Sequence, residues 1–161
     1  MKSKVQTYNF SHFSNEPVIR HIYSTPQIVS DYRSCYEKPR GFWISVDGEC
    51  DWENWCDSEN FTIGDFRHRV HLARFTTILW LRTSSDLIEF RREWALETGR
   101  SYSEWYIPWE RVAEQYQGII IAPYQWSCRL EESWYYGWDC ASGCIWDADA
   151  IECVEPIREA A

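Results

Sequence analysis

The chain has 161 residues and a formal net charge of −9, a length typical of one domain that buries its own core. The excess of acidic residues argues against non-specific nucleic-acid binding, which depends on clustered Lys and Arg. No apolar run approaches a membrane span and no signal peptide precedes the polar N-terminus, so we expect a cytoplasmic protein without a membrane partner.

Two segments near the start of the chain show the alternation of a half-polar strand. Residues 1–17 lack periodicity and predict an irregular lead-in, followed by a single domain over residues 18–161. Within that domain, residues 18–24 and 41–47 alternate apolar and polar side chains, which predicts two strands with matching polar faces. Pro26 is suited to the first turn of a short helix between them.

The rest of the chain mixes helical and strand patterns. Asp51 is a candidate N-cap for a short helix, and Ser84 or Ser85 for a longer one. The other predicted elements are a strand over residues 77–81, a helix beginning at Pro108, a buried strand at residues 119–121 and one or two strands over residues 143–157. This order predicts an α+β fold with a mainly antiparallel central sheet, as one sheet or two facing sheets, and a few short helices.

The seven cysteines do not suggest a disulfide framework or a metal site. An odd number in a chain without a signal peptide favours free thiols in a reducing cytoplasm. Cys50 and Cys56 are separated by five residues, and Cys140 and Cys144 by three, so neither pair has the spacing of a structural zinc site. We therefore expect no bound metal.

A basic stretch at residues 67–74 interrupts the acidic chain. It is mixed with apolar residues, a pattern more typical of a solvated strand face than of a docking patch.

No self-sufficient catalytic motif is present, so function has to be inferred from a constellation of side chains. The chain contains 11 Trp, 10 Tyr and 7 Phe, more rings than a core of this size needs, and some of them should line a groove. His21 and Tyr23 on the first predicted strand, with Trp43 and Ser45 on the second, offer two rings and two polar groups. We expect these side chains to line one pocket that holds a planar ligand.

Two later segments are dense in Trp and Tyr, residues 122–127 and 133–143. Loops of this composition are where a binding site is expected, with Tyr124 as a candidate contact, although the same rings would also serve as a ligand-free lid over the sheet.

The order of these features resembles a compact ADP-ribosyltransferase. In that family a first strand bearing His or Arg is followed by a Gly-aromatic-x-Ser strand with a short helix, a long core strand and a closing acidic motif. The matching segments here are His21 with Tyr23-Ser24-Thr25, residues 41–45 with the helix at 51–56, and residues 143–154. The resemblance implies that NAD is the substrate, that the nicotinamide–ribose bond is cleaved, and that ADP-ribose passes to an acceptor or to water.

The chain departs from the family at the last motif. A Glu at its start should bind the ribose hydroxyl and help to polarise the glycosidic bond, but counting back from Asp147 places Ser142 there. Asp139, or Glu131 or Glu132 from the preceding loop, would have to supply the acid. If none does, NAD binding would survive without catalysis, and the alternative is a binding module with an aromatic groove for a nucleotide or peptide.

The resemblance also suggests a role for each candidate. An oxocarbenium-like transition state requires a stacked nicotinamide, a held ribose and a nearby negative charge. We expect Tyr23 and Trp43 to stack, His21 and Ser45 to make polar contacts, and Asp139 to supply the charge. Ser24 accompanies them in the first motif. The acceptor of ADP-ribose is left open.

Overall fold

A computed structural model describes residues 8–29, 33–100 and 103–157 and shows an α+β fold. Seven strands form one mixed, mostly antiparallel sheet, with the order β4-β7-β8-β2-β1-β3-β9, and β5 and β6 form a small second sheet. The strands are β1 Phe10–Ser14, β2 Phe42–Val46, β3 Phe66–Leu72, β4 Ile78–Leu81, β5 Leu96–Arg100, β6 Ser103–Tyr106, β7 Gly118–Ile121, β8 Ser142–Ile145 and β9 Ile151–Pro156. The helices are α1 Trp52–Glu59, α2 Ser84–Trp94 and α3 Trp109–Val112. The predicted fold class is confirmed.

The large sheet is strongly curved. Strands β8 and β9 are consecutive in the chain but separated in the sheet by β2, β1 and β3, which would place them about 19 Å apart if the sheet were flat. Only residues 146–150 connect them, and Ala148–Ala150 form a 3₁₀ turn, so the connection reaches about 16 Å at most. The sheet must therefore curl to bring β9 back toward the end of β8.

Strand β7 forms the apolar centre of the sheet, as its sequence predicts. Ile119, Ile120 and Ile121 are fully buried between β4 and β8. A glycine on β8 allows this close packing: a Cβ at Gly143 would lie 2.7 Å from Ile120 Cγ1 and 2.8 Å from the Ile119 carbonyl oxygen. Any larger residue at position 143 would force β7 and β8 apart.

The helices begin at side-chain caps. Asp51 accepts the backbone N–H of Asn54 and caps α1, which confirms that prediction. Helix α2 is capped one residue earlier than expected, because Thr83 rather than Ser84 or Ser85 forms a capping box with Asp86.

Buried aromatic rings run from α2 to the middle of the large sheet. Phe90 of α2 lies 4.9 Å from Trp134, measured between ring centroids, and Trp134 is followed by Tyr135 at 5.9 Å. Trp138 lies 6.4 Å beyond Tyr135 and 4.9 Å from Trp43 of β2. These five rings, four of them buried and Trp43 partly buried, place part of the aromatic excess in the core.

The N-terminal part of the fold differs from the sequence prediction. The supposed irregular lead-in over residues 1–17 contains β1, which is an interior strand between β2 and β3. Conversely, residues 18–24 are not a strand. Residues 26–29 are not helical, and the rest of the helix predicted after Thr25 falls partly on residues outside the described ranges. The prediction of paired polar strands at 18–24 and 41–47 is therefore wrong for its first member, because β1 takes the position beside β2.

Candidate functional site

A cavity of about 440 Å³ opens where β1, β2 and β8 meet the segments around Lys38 and Asp139. The residues that line it include Trp43, Trp52 and Trp138, three serines, His12, Lys38 and Asp139. A volume of this size is in the range of small-molecule sites. We take this cavity as the candidate functional site.

Three serines form a row across the floor of the cavity. Ser11 of β1 is paired with Ser45 of β2, and Ser45 with Ser142 of β8. Directly opposed residues of antiparallel strands share a face, so all three lie on one side of the sheet. Their hydroxyls also have structural partners. Ser45 accepts the backbone N–H of Trp52 at 3.0 Å, Ser11 accepts Arg67 Nε at 3.0 Å, and Ser142 donates to the Cys140 carbonyl at 3.0 Å.

His12 follows Ser11 on β1, so its ring lies on the opposite face of the sheet from the serine row, and it has a defined tautomer. Its Nδ1 lies 2.7 Å from the Trp43 carbonyl oxygen, which can only accept, so Nδ1 carries the proton and Nε2 is the acceptor of the neutral ring. The ring stacks on Phe42 with centroids 4.1 Å apart. Burial lowers the pKa of His12 below its usual value, and nearby His68 acts in the same direction. His12 is therefore neutral at physiological pH.

Aromatic side chains extend from the cavity along α1. Trp52 stacks on Trp55 with centroids 4.9 Å apart and planes inclined by 14°, and Phe61 packs edge-on against Trp52. The position of Trp52 follows from the Asp51 cap and the hydrogen bond to Ser45, which fix the start of the helix over β2.

Two fully charged side chains lie on the part of the cavity lining that the structure describes. Lys38 Nζ donates to the Gly137 carbonyl oxygen at 2.9 Å and lies 5.2 Å from the centroid of the Trp43 ring. Asp139 Oδ1 accepts Arg129 Nη2 at 3.2 Å. The Asp139 side chain is 29% exposed, so water reaches its carboxylate.

Cys140 also lines the cavity but is not a nucleophile at neutral pH. Burial raises the pKa of its thiol to about 12, and only the thiolate reacts readily.

The structure brings three of the predicted site residues together: Trp43, Ser45 and Asp139 line the cavity. His21, Tyr23 and Ser24 do not line it. Ser24 Oγ instead accepts the backbone N–H of Ala148 at 2.9 Å. That contact lies beyond the far end of β8 from Ser142, about 13 Å along the strand.

The remaining candidates have structural contacts outside the cavity. Tyr124 is buried and donates its hydroxyl proton to the Trp138 carbonyl at 2.6 Å. Glu132 is buried and forms an ion pair with Arg91 Nε at 2.7 Å. Glu131 is exposed and does not line the cavity. Of the three proposed acids, only Asp139 faces the site.

Sequence reasoning missed Ser11, His12, Lys38 and Trp52 as lining residues. The segment Phe10-Ser-His-Phe-Ser14 does not alternate strictly, because Ser11 and His12 are both polar, and its polar residues resemble those of a loop. Nothing local marks Lys38, whose position depends on the distant contact with Gly137.

Two arginines of the basic stretch, Arg67 and Arg69, are paired with acids. Arg69 Nη1 lies 2.7 Å and Arg67 Nη2 3.2 Å from Asp47 Oδ2, and Arg67 also contacts Glu53. These ion pairs reduce the positive field of the stretch.

No family model, curated protein or solved structure matches the chain. The described residues contain no cluster of three or more His, Cys, Asp or Glu arranged to hold a metal ion. Among them there is also no helix with the length and apolar character needed to cross a bilayer.

Proposed function

We propose that the cavity binds NAD and that the protein cleaves the nicotinamide–ribose bond, passing ADP-ribose to an acceptor or to water. One observation supports this proposal. Trp43, Ser45 and Asp139, three of the residues to which the resemblance gives a role, line one cavity. His21 does not line the cavity, so the polar contact expected of it is left to Ser45.

The lining groups suit the proposed reaction. Trp43 and Trp52 offer ring surface for the nicotinamide, and the Ser45 hydroxyl offers a polar contact for the ribose. As the glycosidic bond breaks, its electron pair leaves with nicotinamide and positive charge develops on the ribose. The carboxylate of Asp139 stabilises that charge, the acceptor oxygen then bonds to the anomeric carbon, and its proton leaves to solvent.

A second function, binding without cleavage, is favoured by a specific contact. Asp139 is already paired with Arg129, which offsets part of its negative charge, and Ser142 stands where the family has Glu. A site of this kind would hold the nucleotide without accelerating its cleavage.

The experiment is to incubate the purified chain with NAD and to follow nicotinamide release by chromatography, with binding measured in parallel by calorimetry. Asp139→Asn should lower release by about 100-fold or more with little change in affinity. Glu131→Gln is the matched control, because it removes an equivalent charge outside the cavity.

Binding variants test which of the predicted residues contact NAD. Trp43→Ala should weaken NAD binding, whereas His21→Ala should not, because Trp43 lines the cavity and His21 does not. Nicotinamide release that is unchanged in Asp139→Asn would remove the catalytic assignment. A wild-type protein that binds NAD but releases no nicotinamide would favour the binding module, and one that binds no nucleotide would refute both.

A further inference from the structure

We infer that Lys38 is the phosphate-recognition residue of the cavity, and that NAD binds with the phosphate of its nicotinamide half at the Lys38 ammonium. This inference rests on the proposed function and adds to it an orientation for the substrate and a residue that selects phosphorylated ligands.

The first support is that Lys38 is a cation without a charged partner in the described part of the chain. Its ammonium contacts the neutral Gly137 carbonyl and the Trp43 ring. By contrast, Arg129 is paired with Asp139, and Arg67 with Asp47. The full charge of Lys38 is therefore available to a ligand.

The second support is the position of the ammonium relative to the rings. Nζ lies 5.2 Å from the Trp43 ring centroid, and a charge-assisted hydrogen bond adds about 2.8 Å. An accepted phosphate oxygen thus lies within about 8 Å of that centroid. A phosphate this close to the Trp43 ring belongs to the nucleotide whose own base packs against that ring.

The third support is that the opposite charge is nearby. The Gly137 carbonyl accepts the Lys38 ammonium, and Gly137 is two residues before Asp139. The Cα atoms of Gly137 and Asp139 are therefore at most about 7 Å apart. A ligand that spans them carries negative charge at one end and develops positive charge at the other. The nicotinamide nucleotide half of NAD has this pattern during cleavage, with one ribose between its phosphate and the reacting carbon.

The test compares ligands with and without the phosphate. Binding of NAD, nicotinamide mononucleotide and nicotinamide riboside is measured by calorimetry for the wild type, Lys38→Gln and Arg40→Gln. Arg40 is the matched control, because it is an exposed cation two residues away that does not line the cavity. Thermal unfolding confirms that each variant is folded.

Loss of a hydrogen bond to a charged group weakens binding about ten-fold or more. Lys38→Gln should therefore weaken NAD and the mononucleotide by about that factor and leave the riboside unchanged, and Arg40→Gln should change none of the three. Equal weakening of all three ligands by Lys38→Gln, or of none, overturns the inference while leaving the proposed function intact. A wild type that binds none of the ligands overturns the proposed function itself.

Discussion

Gly143 on β8 offers a sharp test of how closely β7 and β8 pack. In Gly143→Ala the new methyl group would meet Ile120 Cγ1 at 2.7 Å, the Ile119 carbonyl oxygen at 2.8 Å and Ile44 Cγ1 at 3.2 Å. The two isoleucine side chains have alternative rotamers, but the carbonyl oxygen belongs to the sheet and moves only if the strands separate. We expect the free energy of unfolding to fall by about 1–3 kcal/mol, the usual cost of overpacking a core.

The measurement is urea unfolding followed by tryptophan fluorescence, with the midpoint and the slope fitted separately. For a chain of this size the expected change corresponds to a melting temperature lower by about 4–8 °C if the cost is about 2 kcal/mol. Gly137→Ala is the control, because its Cβ would meet nothing closer than the flexible Lys38 side chain at 3.4 Å. We expect Gly137→Ala to change the free energy of unfolding by less than about 0.5 kcal/mol.

A double variant separates the two contacts. Ile120→Ala removes the nearer side-chain atom but not the Ile119 carbonyl, so adding Gly143→Ala to it should cost less than in the wild type and still more than Gly137→Ala. Stability of Gly143→Ala within about 0.5 kcal/mol of the wild type would refute the close approach of the two strands.

Three further outcomes follow from burial and charge. Burial lowers the pKa of folded His12, so below about pH 6.5 the unfolded chain binds the proton first and the free energy of unfolding falls as the pH is lowered. In urea unfolding, His12→Gln should lose less stability than the wild type between pH 7 and 5. Equal losses in the two proteins would contradict this. The pKa of Cys140 is raised to about 12, so iodoacetamide at pH 7.5 should label exposed Cys153 before Cys140, as read by peptide mass spectrometry; the reverse order would show that Cys140 is accessible and ionised. Glu132→Gln should lower the free energy of unfolding by about 1–2 kcal/mol, because the partly exposed Arg91 loses a charged partner but is rehydrated; no change would indicate that this pair contributes nothing.

The parts of the fold that the sequence predicted well are those set by local chemistry. The three isoleucines of β7 are favourable only in a buried strand, and they are buried. The Asp51 side chain accepts a backbone N–H of α1, a local contact that does not depend on the rest of the fold. The choice between β1 and residues 18–24 was different, because β1 lacks a strict alternation and the outcome depends on which segment finds partners on β2 and β3. The strands beside β1 supply partners for its polar side chains; His68 of β3, for example, forms a hydrogen bond with Ser14.

The candidate site was partly predictable for the same reason. Trp43 and Ser45 belong to a strand that the sequence identified, and Asp139 lies in the segment 133–143, whose composition suggested a site. His12 and Lys38 were missed because their places depend on contacts with Trp43 and Gly137, which are far away in the sequence.

The order of strands in the large sheet also bears on how the chain is made. Strands β1, β2 and β3 are complete once residue 72 has been synthesised, but the free edge of β2 waits for β8, which is made roughly 100 residues after β2. At ribosomal rates of 5–20 residues per second, that edge stays unpaired for about 5–20 seconds. An unpaired strand edge bearing Phe42 and Trp43 is a template for joining another chain. Newly made copies held close together on one messenger would therefore meet while β2 is open, and slower translation of residues 73–141 would lengthen that exposure.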